Sequence, residues 1–165
     1  MEKWKDVPHN VTIYNYYGSF QASAMFERPI WDRIQADFRY YAEIGFDGTM
    51  PEGLTDARGS TATWDMNTLT FWIYSKLSWN PEEDVDALIK TFCDRYYGEA
   101  SDEMQEYYAL LEKGWAEGES EAYLWNFKLT ADYYYDTFIY CTDLEDDMVN
   151  TATRSSNAAL TIGCG

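Results

Sequence analysis

The stretch that most limits what this chain can fold into is WNPEEDVDALIKTFCDRYYG, at residues 79–98. Asn80 can cap a helix by accepting a backbone N–H, Pro81 suits a first turn, and Glu83 can reach back to the cap. Val85, Leu88, Ile89, Phe92 and Tyr96 follow at helical spacing, and Gly98 supplies the left-handed residue that stops a helix. Upstream, Met66, Leu69, Ile73 and Leu77 mark another apolar stripe, widened by Trp72. Only Ser78 and Trp79 separate it from the Asn80 cap, so the two helices must meet at a sharp corner. Leu88, Ile89 and Phe92 are expected to pack on Leu69, Ile73 and Leu77.

The chain before this corner reads as a βαβ unit. Residues 11–17 alternate β-branched and aromatic side chains up to Gly18, which suits a buried strand. A loop over 21–28 closes at Pro29, and Ile30, Ile34, Phe38, Tyr41 and Ile44 mark one helical face ended by Gly45. Residues 46–50 form a second short strand, broken by Pro51, Glu52 and Gly53. Strand, helix, strand in this order suits a right-handed parallel crossover. Residues 54–63 turn to Gly, Ser, Thr, Asp and Arg, the composition of a loop.

After the corner, Ser101 can cap a helix with an inner face of Met104, Tyr107, Leu111 and Trp115, and residues 114–121 read as an acidic, Gly-containing break. Residues 123–140 are dense in aromatics without a clean period, and Tyr133, Tyr134 and Tyr135 cannot all face one core. Residues 143–154 read as a last helix capped by Asp143, with acidic residues in its first turn.

A length of 165 residues fits one domain with a sizeable core. The net charge of −17 argues against binding nucleic acid or an anionic membrane, because phosphates would be repelled. No apolar run is long enough to span a bilayer, and the N-terminal residues lack the apolar region of a signal peptide; localisation stays open. Cys93, Cys141 and Cys164 with the single His9 form no metal pattern, and neither a metal nor a cofactor is expected. Cys93 lies beside the apolar stripe of its helix, as a buried thiol would. Aromatics make up 18% of the chain, more than a core of this size needs, so some should face a cleft or a partner surface.

The run K-L-x-W-N-P-x-x-D-V-D-A-L-I over residues 76–89, after an aromatic- and Leu-rich helix, and R-Y-Y-G-x-A over 95–100 carry a resemblance. Together they are similar to a bacterial domain-of-unknown-function family, DUF4838, most clearly over residues 13–111. Proteins of that family resemble glycoside hydrolases with a (β/α)8 barrel akin to α-glucuronidases and β-hexosaminidases. The resemblance implies a helix-dominated α/β fragment: the last βα units of a TIM-like barrel in residues 1–111, then a truncated helical extension in 112–165. Two strands alone leave open edges, so a missing barrel portion or another chain is expected to cover them.

In such barrels function lies at the C-terminal ends of the strands. That singles out Glu52, as one of the two carboxyl groups a glycosidase uses or as a partner of sugar hydroxyls. A loop carboxylate capping a backbone amide is the plainer alternative. Tyr14, Tyr16 and Tyr17 are expected either to line the sugar cleft or to pack between sheet and helices. Asp47 lies near a strand start, the stability end of a barrel, and Asp65 and Asn67 suit the organisation of a helix start. The adjacent pairs Glu82-Glu83 and Asp146-Asp147 suit first-turn helix charges, not a catalytic dyad. The expected partner is a carbohydrate substrate, hydrolysed only when the whole barrel is present, with the fragment alone inactive. The alternative is a non-catalytic helical module that binds carbohydrate or protein through its aromatic surface.

Overall fold

The computed structural model describes Asp6 and residues 10–17, 27–51, 67–119 and 131–160. His9, Asp65, Met66, Cys164 and the 54–63 loop lie outside the described residues. The elements are β1 (Thr12–Asn15), α1 (Trp31–Glu43), β2 (Gly48–Pro51), α2 (Thr68–Trp79), α3 (Val85–Tyr96), a 3-10 turn (Gly98–Ala100) and α4 (Ser101–Glu117). Then come α5 (Ala131–Tyr135), which runs into a π-helical turn (Asp136–Tyr140), and α6 (Glu145–Leu160). The fold is helix-dominated α/β with two parallel strands.

The strands pair in the order β1-β2, with Thr12 opposite Gly48 and Asn15 opposite Pro51. Asp47 fixes the start of the ladder: its Oδ2 accepts from the Val11 N–H at 2.9 Å, and its own N–H donates to the Val11 carbonyl at 3.0 Å. Among the described residues, helices cover one face. Ile13 packs on the core from that side, and Thr49 there accepts the Tyr74 hydroxyl of α2 at 2.9 Å. Thr12, Tyr14, Tyr16 and Met50 lie exposed on the other side. The expectation of a buried β1 is therefore corrected: period-2 alternation sends half its side chains to a face that no described element covers.

The centre of the expected α1 stripe, Ile34, Phe38 and Tyr41, is buried, while Ile30 and Ile44 at its ends are half-buried and Trp31, outside the expected stripe, is fully buried; Gly45 at φ +72° ends the helix. At the corner, Leu69, Ile73 and Leu77 of α2 and Leu88, Ile89 and Phe92 of α3 are all buried in one cluster, as expected. Trp72 approaches Phe92 with ring centroids 5.8 Å apart. The cap, however, is Asp84 and not Asn80: Asp84 Oδ1 accepts from the Ala87 N–H at 2.8 Å. Residues 80–83 instead form a turn in which the Asn80 carbonyl accepts from the Glu83 N–H, so Glu82 and Glu83 precede the helix. Gln35 of α1 donates to the carbonyls of Pro81 and Glu83, which holds the turn open and delays the helix by one turn.

The C-terminal half also departs from local expectation. Ser101 is already helical, and its hydroxyl donates to Asp94 at 2.6 Å instead of capping. Fully buried positions on α4 are Ser101, Tyr108, Leu111 and Gly114, with Met104, Tyr107 and Trp115 half-buried. The buried face is wider than one stripe because α3 and α6 grip α4 from two sides. Gly114 does not break the helix, which continues to Glu117. A Cβ there would run into the Phe138 carbonyl oxygen, and one at Gly118 would lie 2.5 Å from the Phe138 ring. The two glycines let the π turn lie against α4, where Trp115 stacks on Phe138 at 4.5 Å. Of the three consecutive tyrosines, Tyr134 is buried and Tyr133 and Tyr135 are half-buried. Asp143 takes φ +58° two residues before α6, in a turn where its N–H donates to the Tyr140 carbonyl and that of Leu144 to the Ile139 carbonyl, so it does not stand at the cap position.

Two substitutions test this packing. Phe92→Ala should destabilise the chain by about 3–5 kcal/mol in urea unfolding, the range for an aromatic lost from a core. A change below about 1 kcal/mol would place that ring outside the core. Gly114→Ala should cost at least ~1–3 kcal/mol by overpacking, since a backbone carbonyl cannot rotate away; a neutral result would mean that α4 and the π turn separate easily.

Candidate functional site

Asn15 and Pro51 pair at the C-terminal ends of the two strands, and Tyr16 and Tyr17 continue β1. Tyr14 (48% exposed) and Tyr16 (44%) stand on the uncovered face, with rings perpendicular and centroids 5.2 Å apart. Met50 (57% exposed) is the cross-strand neighbour of Tyr14 on that face. Two aromatic faces at right angles beside an apolar side chain suit a ligand with apolar C–H surfaces and polar edges.

Tyr17 turns the opposite way and is only 6% exposed. Its hydroxyl donates to Asp37 Oδ2 at 3.0 Å and accepts from Asn15 Nδ2 at 3.0 Å; Asn15 Nδ2 also donates to the Tyr41 hydroxyl at 3.2 Å. Arg33 holds the other carboxylate oxygen of Asp37 at 2.9 Å. The Tyr17 ring packs against Tyr74, with centroids 5.7 Å apart. Burial, then the Tyr41 hydrogen bond and the Asp37 charge, push the Tyr17 phenol far above its ordinary value, so it stays protonated. The three tyrosines thus divide: Tyr14 and Tyr16 are partly exposed, and Tyr17 braces the strand end against α1. Glu52 lies outside the described residues, immediately after β2.

Sequence reasoning missed the pair that ties this edge together. Glu27 is buried, and its Oε1 accepts from the Thr70 N–H at 2.6 Å, in the first turn of α2. It satisfies an amide that Asn67, at the N-cap position, leaves without a side-chain cap bond. Arg28 points away and donates from one guanidinium nitrogen to the carbonyls of Tyr16 (3.1 Å) and Tyr17 (3.2 Å). The Tyr134 hydroxyl donates to the Glu27 carbonyl at 2.9 Å, across 107 positions of sequence. Burial raises the Glu27 carboxyl to about 7 against the opposing pull of its Thr70 bonds, and burial lowers the Arg28 guanidinium. The available signal was local: two opposite charges enclosed by Phe26 and Pro29-Ile30 in an apolar stretch.

A cavity of about 140 Å³ lies at the other end of the sheet, among Phe38, Tyr41, Phe46, Asp47, Leu77 and Pro81. Polar groups there are engaged within the fold, Asp47 by Val11 and Ser78 by the Ser75 carbonyl. Glu112 is another carboxyl raised to about 7, by burial and then by Asp32 and Asp86. Cys93 is buried as expected, and its thiol is pushed up to about 12, first by burial. Among the described residues no His, Cys, Asp and Glu group is placed to hold a metal, and no helix is long and apolar enough to cross a membrane.

Among the described residues the fold is helix-dominated α/β, with two parallel strands whose exposed face carries aromatics at the strand ends. The chain belongs to the family described as Domain of unknown function (DUF4838), whose family model matches residues 1–109. No curated protein and no solved structure matches it. Tyr134 lies beyond the matched residues, yet its hydroxyl donates to the Glu27 carbonyl.

The Tyr17 network has a direct test. Tyr17→Phe leaves Asn15 and Asp37 without their shared hydroxyl and should cost about 1–3 kcal/mol in denaturant unfolding. A loss below about 0.5 kcal/mol would mean that the hydroxyl adds nothing to the hold on the strand end.

Proposed function

We propose that the chain is part of a glycoside-hydrolase-like, carbohydrate-active protein, contributing the last βα units of a (β/α)8 barrel in residues 1–111 and a helical extension in 112–165. The observation that carries this reading is the one-sided sheet. Parallel strands are ordinarily covered on both faces and both edges, whereas among the described residues helices cover one face and Thr12, Tyr14, Tyr16 and Met50 are exposed on the other. In a closed barrel that open face is the interior, and the strand C-terminal ends are where ligands bind.

On this reading the exposed parts of Tyr14 and Tyr16 meet a sugar, Tyr17 braces their strand, and Glu52, next in sequence after β2, supplies one carboxyl. Hydrolysis by either stereochemical route needs two carboxyl groups roughly 5–9.5 Å apart across the glycosidic bond. The other would come from the rest of the barrel. A second reading, a non-catalytic module that binds carbohydrate or protein, draws on Trp79, which is 91% exposed at the end of α2.

The 165-residue chain by itself should show no turnover of aryl glycosides. Turnover by the purified chain that disappears in Glu52→Gln would overturn the need for a missing carboxyl. In a protein with the complete barrel, Glu52→Gln should lower turnover by about 10²-fold or more while folding stays intact. Unchanged rate and affinity there would remove Glu52 from the site. Saccharide binding without turnover, lost in Trp79→Ala and retained in Tyr16→Ala, would favour the second reading.

A further inference from the structure

Three segments far apart in sequence meet at one dipeptide, the buried Glu27 and the half-buried Arg28. The Glu27 carboxyl receives the Thr70 N–H of α2, the Glu27 carbonyl receives the Tyr134 hydroxyl of α5, and the adjacent Arg28 holds the carbonyls of Tyr16 and Tyr17 at the end of β1. Trp31, the first residue of α1, adds a parallel tie by donating to the Thr70 hydroxyl at 3.0 Å. We infer that Glu27 is a proton-operated clasp: protonated, it holds the end of β1, the N-terminus of α2 and the α5 segment together, and its ionisation loosens that junction.

The groups facing this carboxyl decide its behaviour. Cys93 and Tyr97 from the α3 end, Tyr107 and Tyr108 from α4, and Tyr134 from α5 all sense its charge. Each is itself held protonated by burial, so none supplies a positive charge. The Arg28 guanidinium donates from one nitrogen to the Tyr16 and Tyr17 carbonyls just after β1. Among the described residues the favourable partner of a Glu27 anion is the α2 N-terminus, through Thr70, and burial outweighs it. A carboxylate enclosed this way is costly, and its relief is to open the enclosure to water.

The direction with pH follows. The folded-state value of about 7 lies above the ordinary 4.5, so the unfolded chain gives up this proton first as pH rises. Stability from the clasp is fully present below about 4.5 and is lost as pH rises through about 7. Glu112 contributes the same sign through burial beside Asp32 and Asp86, so a global unfolding curve mixes the two groups. A local readout separates them.

The experiment follows the full 165-residue chain from pH 4 to 8.5, with the Glu27 carboxyl carbon observed by ¹³C NMR and amide protection factors measured at Thr70 and across residues 131–140. The expected result is a Glu27 midpoint near 7, with protection at Thr70 and over 131–140 falling together by at least about tenfold between pH 5 and 8. Glu27→Gln, which keeps the shape and cannot ionise, should abolish that fall; Glu112→Gln should leave it. Tyr134→Phe should leave the fall at Thr70 while uncoupling residues 131–140 from it. A Glu27 midpoint near 4.5 would overturn the inference, as would a fall that persists in Glu27→Gln. A wild-type fall confined to Thr70 would reduce Glu27 to a helix cap and also overturn it. The wild-type titration decides even if Glu27→Gln fails to fold, and none of these readouts depends on carbohydrate activity.

Discussion

Trp31 is fully buried where α1, α2 and α4 converge, and most of the described structure is arranged around that contact. Its indole N–H is satisfied by Thr70, and its ring meets Tyr108 edge-on with centroids 5.6 Å apart. An indole buried without a partner for its N–H would lose much of what its area contributes, so Thr70 must stand at the start of α2. Thr70 in turn is placed by the Glu27 carboxyl on its amide. One aromatic ring therefore links helix packing to the buried polar junction beside the strand ends.

That junction gives the sheet much of its support. Two four-residue strands cannot stabilise themselves, and among the described residues they have helices on one face. Asp47 pins the strand starts, Arg28 holds the carbonyls just after β1, and the Tyr17–Asp37–Asn15 network ties β1 to α1. Charged and polar side chains do part of the work that neighbouring strands would do in a wider sheet. The helical half shows a related economy: Gly114 and Gly118 bring α4 against the π turn, and aromatic stacking fills the space between.

Elements dominated by local spacing were legible in the sequence. The stripes Ile34–Phe38–Tyr41, Leu69–Ile73–Leu77 and Leu88–Ile89–Phe92 are buried where their period puts them, and Gly45 and Gly98 take the left-handed conformations expected of helix stops. The parallel pairing followed from strand, helix, strand in close succession. Periodicity survives into the fold because a helix or strand must present one face to whatever covers it. The candidate site was legible only by position. Alternation separates Tyr14 and Tyr16 from Tyr17, yet it does not say which set meets the helices.

Tertiary structure decided the features that depend on two distant groups. Asp84 replaces Asn80 as a cap because Gln35, from another helix, occupies the turn carbonyls. Gly114 is a contact point instead of a break because Phe138 needs the space of a missing Cβ. Glu27 gains its raised affinity for a proton from enclosure by α2, α3, α4 and α5, none of which adjoins it in sequence. Spacing along the chain thus determined which faces are apolar and where helices stop, since those depend on backbone geometry within a few residues. Which caps are used, which glycines are contacts and which carboxyl is buried were settled only when packing brought separate segments together, because burial and charge act through space.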